Sequence, residues 1–264
     1  MEPGGGPRPF RTGLTRPADH VPVRRARRGV ALLPSLFTLG NLFCGYACVI
    51  YAMRGEFEIA APLIGIAVIL DILDGRIARM TGTASDFGVQ FDSMADIISF
   101  GMAPAVLTFA WGLSTLGRLG WAAAFLFVTA AALRLARFNV QAAAADKRYF
   151  VGMPSPAAAG ILASTVFAYP EGLTQFRSSL PAILLVVVPA LLMVSTVRYR
   201  TFKTIDLQQP RPFRVLLFFA VLITAIVTHP QSVLVVISYG YLVSPFVGMI
   251  VTRFRRKPQA QPAA

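Results

Sequence analysis

The chain has 264 residues, 55% of them hydrophobic and only 14% charged, with a net charge of +13. Soluble domains carry about 25% charged residues, so this balance excludes an ordinary soluble globule and points to a membrane protein. The basic excess does not read as a nucleic-acid patch, because "RRARRG" has no interleaved aromatic or polar residues, and no nucleic-acid partner is expected.

In chain order, residues 1–29 are rich in Gly, Pro and Arg and read as a basic, disordered cytoplasmic tail. A helix crossing the ~30 Å hydrocarbon core needs about 20 residues. Eight apolar runs are candidates: Val30–Met53, Ile59–Arg79, Phe87–Leu113, Leu119–Arg137, Pro154–Tyr169, Leu180–Val197, Phe213–Thr228 and Ser232–Thr252. The fifth and seventh are short. The first is too long for a secretory signal and lacks a small-residue cleavage site, while bulky Phe43 before Cys44 argues against a lipoprotein site. The expected fold class is therefore all-α: a polytopic integral membrane protein with about eight transmembrane helices and both termini cytoplasmic. Residues 30–252 form one transmembrane catalytic domain with short loops, and 253–264 form a second basic tail.

Charge placement supports that topology. With a cytoplasmic N-terminus and eight spans, the inner segments hold 22 of the 25 Lys and Arg residues, leaving only Arg54, Arg118 and Arg177 outside. The positive-inside rule predicts this asymmetry, and it places the protein in the cytoplasmic membrane. Cys44 and Cys48, one helical turn apart, read as small packing residues. Two isolated histidines and two cysteines cannot assemble a zinc site.

The chemistry is concentrated in "DILDGRIARMTGTASDFGVQFDSMAD", which holds five of the twelve acidic residues. A carboxylate in a membrane helix is costly and marks function by default. Asp71 and Asp74 are three apart on one face, which Gly75 and Ala78 continue, and Gly88, Asp92 and Asp96 recur every four residues on the next helix. Small residues on both stripes predict two antiparallel helices in close contact, with four carboxylates converging at their interface. Asp86 lies off that spacing, near a helix start where the dipole favours it. Two divalent cations would balance four negative charges, and oxygen-only ligands favour Mg²⁺, Mn²⁺ or Ca²⁺ over zinc. If Arg79 marks the membrane surface, Asp71 lies about 12 Å deeper, within reach of the pyrophosphate of an activated lipid. A structural network with Arg76 and Arg79, or an ion path, is the bland alternative.

Asp71, Asp74, Gly75, Ala78, Arg79, Gly88, Asp92 and Asp96 fill every fixed position of D-x2-D-G-x2-A-R-x8-G-x3-D-x3-D. This pattern resembles the motif of the CDP-alcohol phosphatidyltransferases, which transfer a substituted phosphate from a CDP-linked lipid to an alcohol and release CMP. The resemblance implies that Asp71, Asp74 and Asp92 ligate a metal pair, and that Asp96 serves as ligand and general base. It also implies that Gly75, Ala78, Arg79 and Gly88 bind the CDP moiety, with Thr38 and Asn41 of the first helix contributing. Ser35 stands where the family usually has Asn after the proline, so no nucleotide contact is carried to it.

The stretches "LPSLFTLGNLFCGY", "ALRLARFN" and "YFVGMPSPAAAG" are similar to the integral-membrane branch that uses CDP-diacylglycerol and L-serine. The resemblance covers most of Leu33–Gly160, extends through "MVSTVRYRTFK" to Lys203, and implies a homodimer. Arg134 and Arg137 end the fourth span on the side of the Asp cluster, with Asn139 just beyond, and could bind the serine carboxylate; snorkelling to the interface is the alternative. "GMPSPAAAG" reads chiefly as a helix start followed by tight packing. Two rivals stand: a sister enzyme using glycerol 3-phosphate or inositol phosphate, and a cation transporter, which would place its carboxylates near mid-membrane.

Overall fold

A computed structural model describes residues 28–81, 85–142, 150–199 and 212–255. The basic tails expected at 1–29 and 253–264 lie outside these residues, except that the first helix starts at Arg28 and the last reaches Arg255. The elements are α1 (Arg28–Met53), α2 (Phe57–Thr81), α3 (Asp86–Asp96), a π-helical segment (Ile97–Met102), α4 (Ala103–Trp111), a 3-10 turn (Leu113–Leu116) and α5 (Arg118–Ala142). There follow β1 (Phe150–Val151), α6 (Ser155–Ala168), α7 (Phe176–Val194), β2 (Arg198–Tyr199), α8 (Pro212–Thr228) and α9 (Pro230–Arg255). Among the described residues the fold is all-helical apart from β1 and β2, which pair antiparallel over two residues each.

Every apolar run read from the sequence coincides with a helical body. Among the described residues, five stretches are long and apolar enough to cross a membrane: Ser35–Met53, Phe87–Trp111, Arg118–Val140, Phe176–Val194 and Pro230–Val247. The protein is thus a multi-pass membrane protein. α2 is 25 residues long but contains the site's charges, while α6 and α8 have 14 and 17 residues.

The expected span Phe87–Leu113 is met over Phe87–Trp111, with a π-helical segment inside it directly after Asp96, where the Ala103 N–H bonds to Ile98 O five residues back. Pro104 supplies the local reason: it has no N–H to continue the ladder, and its ring crowds the carbonyl four residues before it. One expectation needs correcting, that of the two acidic stripes. α2 and α3 barely touch; instead α1 packs against α2 on one side and against α3 and the π-segment on the other. The reason lies in α1, whose Thr38 and Asn41 donate to an acid of each helix, so that α1 and not α2 makes the close packing with α3.

The sequence of α1 explains how it fills this place. Thr38, Asn41, Gly45, Cys48 and Ala52 recur at helical spacing and are all buried, so a narrow stripe of small and polar side chains faces inward. A Cβ on Gly45 would stand 2.8 Å from Ser99 Cα and 2.5 Å from Ser99 Oγ, which makes glycine the residue that lets α1 reach the π-segment. Ser99 Oγ in turn donates to the Asn41 carbonyl at 2.9 Å. Gly45→Val should therefore lower the melting temperature in detergent, since overpacking costs about 1–3 kcal/mol. Gly65→Ala is the control, because a Cβ there meets nothing within 4 Å. An unchanged melting temperature for Gly45→Val would contradict this close contact.

Candidate active site

α2 and α3 deliver their carboxylates to one place although the helices stand apart. Asp71, Asp92 and Asp96 each present an oxygen within 4.8 Å of the other two. Asp74, one turn along α2, is buried and turns to α1, where its Oδ2 accepts a hydrogen bond from the Thr38 hydroxyl. One turn further along α1, Asn41 Nδ2 donates to Asp96 Oδ1 at 3.2 Å. α1 therefore holds one acid from each half-site, through two residues three apart.

The site is polar but incompletely satisfied. Asp92 Oδ1 and Asn41 Oδ1 are buried without a hydrogen-bond partner among the described residues. Each such orphan costs about 1–3 kcal/mol, and native interiors rarely keep them without a reason. An unpaired carboxylate oxygen among three converging carboxylates fits a hard divalent cation, which takes oxygen ligands and supplies the missing positive charge. The donor set contains no sulfur or imidazole, in keeping with Mg²⁺ or Mn²⁺ rather than zinc.

The remaining motif residues fall around this cluster. A Cβ on Gly75 would meet only the Arg79 guanidinium, with Nη1 3.5 Å away, so Arg79 folds back over bare backbone. Ala78 is half-buried on the same helix. Gly88 has a local role in starting α3: its N–H donates to the Ser85 cap hydroxyl at 3.0 Å, and a Cβ there would stand 3.1 Å from the same oxygen. Asp86 opens α3, as its fit to the helix dipole suggested.

From α5, Arg134 Nη1 donates to Ser155 Oγ at 2.7 Å, within electrostatic reach of Asp96 and Asp71. Asn139 Nδ2 donates to Ser93 Oγ at 3.1 Å, joining the end of α5 to the residue after Asp92. Arg137 is half-buried and makes no hydrogen bond or ion pair among the described residues. The arrangement thus brings together Asp71, Asp92, Asp96, Asn41 and Arg134, with Thr38 and Asp74 one turn to the side.

The sequence reading passed over several residues that the structure brings to the site. Ser155 stands inside "GMPSP", a stretch whose sequence reads chiefly as a helix start and secondarily as a lipid or substrate contact. Ser93 hid in a variable position of the motif. Gly45 and Ser99 carried no polar pattern, since their role is close backbone approach. Tyr241 of α9, whose phenol lies within electrostatic reach of Arg134, had no motif around it.

The profile of the CDP-alcohol phosphatidyltransferase family matches residues 31–197. The chain is 41% identical over 179 residues to the CDP-diacylglycerol–serine O-phosphatidyltransferase of Helicobacter pylori strain J99, covering 66% of this chain and 74% of the relative. It is 33% identical over 226 residues to the enzyme of the same name from Mycobacterium leprae, covering 83% of this chain and 75% of that one. An archaetidylserine synthase of Methanothermobacter thermautotrophicus is 34% identical over 169 residues, covering 63% and 69% respectively. With the matched stretch running from α1 through α7 and enclosing every carboxylate of the cluster, this chain belongs to the CDP-alcohol phosphatidyltransferase family.

Proposed function

We propose that the protein transfers the phosphatidyl group of CDP-diacylglycerol to the hydroxyl of L-serine, giving phosphatidylserine and CMP. The observation that carries this reading is the convergence of Asp71, Asp92 and Asp96, with Asp92 Oδ1 left unpaired among them. Serine is the acceptor element shared by the names of all three relatives described above. Glycerol 3-phosphate and inositol phosphate bring a phosphate dianion and call for a denser basic pocket than Arg134, Arg137 and Asn139 provide. Family membership weighs against the cation transporter.

In this reading Asp71, Asp74, Asp92 and Asp96 hold two divalent cations, Mg²⁺ or Mn²⁺. Such ions, when bound, neutralise the pyrophosphate and the charge that develops on the leaving oxygen. Gly75, Ala78 and Gly88 give the CDP moiety close access to backbone, and Arg79 pairs with its phosphates. Asn41 fixes Asp96 through Oδ1, and Thr38 fixes Asp74. Asp96 takes the proton of the serine hydroxyl. The serine oxygen then bonds to the lipid-side phosphorus, the bond from that phosphorus to the bridging oxygen breaks, and CMP departs with the electron pair. Arg134, Arg137 and Asn139 bind the serine carboxylate.

The charge distribution supports eight membrane crossings with both termini cytoplasmic, so that the site opens to the cytoplasmic face of the cell membrane. Residues 30–252 then form one catalytic domain flanked by basic tails at 1–29 and 253–264. The family resemblance also implies a homodimer.

Three outcomes test the proposal. Purified protein supplied with CDP-diacylglycerol should release CMP with serine and far more slowly with glycerol 3-phosphate or inositol phosphate. Preference for either phosphorylated acceptor would overturn serine and keep the reaction class. Asp96→Asn should lower kcat by about 10²–10⁴-fold, the usual contribution of a general base, while the protein stays folded. Near wild-type turnover in that variant would remove Asp96 from the proton transfer. Arg137→Ala should raise KM for serine about tenfold, equivalent to one lost charge-assisted hydrogen bond, and an unchanged KM would take Arg137 out of the acceptor pocket.

A further inference from the structure

Asn41 is fully buried on α1, which packs against α2 on one side and against α3 and the π-segment on the other. Thr38 meets Asp74, and a Cβ on Gly40 would stand 3.2 Å from Leu70 Cδ1. These pairings run antiparallel along α1 and α2 and set Asn41 level with Asp71. On the other side, Asn41 Nδ2 donates to Asp96 Oδ1 at 3.2 Å, and its backbone carbonyl accepts from Ser99 Oγ at 2.9 Å. Asn41 thus stands between the two half-sites, and the close contacts at Gly40 and Gly45 hold α1 in that place.

The orientation of the side-chain amide follows from its partner. An ionised carboxylate oxygen only accepts, so the nitrogen is the end that meets Asp96. The amide oxygen points away from that bond, and it is buried with no partner. Among the described residues one other buried side-chain atom shares this state, Asp92 Oδ1. Both are acceptors, and both belong to residues of the same site. Asn41 has no exposed surface, which favours an occupant of one atom over an organic donor such as an ammonium group or a nucleotide amine. An amide oxygen suits Mg²⁺, Mn²⁺ or Ca²⁺ as a carboxylate does. It also adds a ligand without adding charge, and four carboxylates already balance two divalent cations.

We propose that Asn41 Oδ1 is a ligand of the divalent-cation centre, so that a single amide on α1 both holds Asp96 and supplies a neutral oxygen to the metal. This inference rests on the reading of the aspartates as a cation site. It adds to the ligand set a residue of the preceding helix that lies outside the acidic motif.

The test uses the purified full-length protein with Mn²⁺ alone, so that neither nucleotide nor acceptor enters. Protein made with ¹³C at the side-chain carbonyl of asparagine carries the label at Asn41 and Asn139 only. Electron–nuclear double resonance should show a ¹³C coupling to bound Mn²⁺ comparable with the strongest one from protein labelled at the aspartate carboxylates. Asn139→Gln should keep that coupling. Asn41→Leu should lower Mn²⁺ affinity about tenfold or more, since even groups behind the ligands contribute about 10–100-fold. Asn41→Asp, which keeps an oxygen and loses the N–H, should recover most of that affinity. An asparagine coupling far weaker than the aspartate one would overturn the inference and leave Asn41 as a donor to Asp96 alone; this measurement needs no substitution at Asn41. An affinity in Asn41→Asp no better than in Asn41→Leu would overturn it as well. Wild-type protein that binds no Mn²⁺ would instead refute the cation site itself, and the role of Asn41 would fall with it.

Discussion

The structure depends on one electrostatic constraint: carboxylates from two membrane helices must be held together where water is scarce. Their mutual repulsion grows as the dielectric falls, so neighbouring groups must offset it. α1 packs against both helices and supplies hydrogen-bond donors to an acid of each. Thr38 holds Asp74 and Asn41 holds Asp96, while Gly45 and Ser99 bring α1 against the segment that follows Asp96. The π-helical segment begins one residue after Asp96. It therefore separates the half that carries Asp92 and Asp96 from the apolar half that begins at Ala103. π-helical turns inside α-helices are often found at functional sites, and here the turn adjoins the residue proposed as general base.

Around this core the two tasks of the enzyme fall to different elements. α1, α2 and α3 hold the carboxylates and the motif glycines, which serve the reaction common to the family. α5 and α6 meet at Arg134, whose guanidinium donates to Ser155 and which serves the choice of alcohol in the reading proposed here.

Much of this was legible in the sequence, for identifiable reasons. Apolar runs marked every helical body because membrane helices are hydrophobic over their whole length, and the spacing of Asp71, Asp92 and Asp96 located the cluster because carboxylates are scarce in such helices. The small residues of the two stripes, by contrast, suggested direct helix contact. Their actual settings differ: Gly75 lies bare beneath Arg79, and Gly88 makes room for a helix cap. Periodicity reports which residues share a face and is silent on what that face meets. It also could not reveal the π-segment, which shifts the ladder by one residue within an unbroken apolar run.

The central claim is that Asp71, Asp92 and Asp96, with Asp74 beside them, form a binding site for divalent cations. Electron paramagnetic resonance of purified protein titrated with Mn²⁺ tests it most directly. Wild-type protein should bind two Mn²⁺ per chain close enough to couple magnetically. Asp92→Asn should lose the coupled signal while keeping the wild-type melting temperature within a few degrees. Weak, uncoupled Mn²⁺ binding that is the same in wild type and Asp92→Asn would contradict the account.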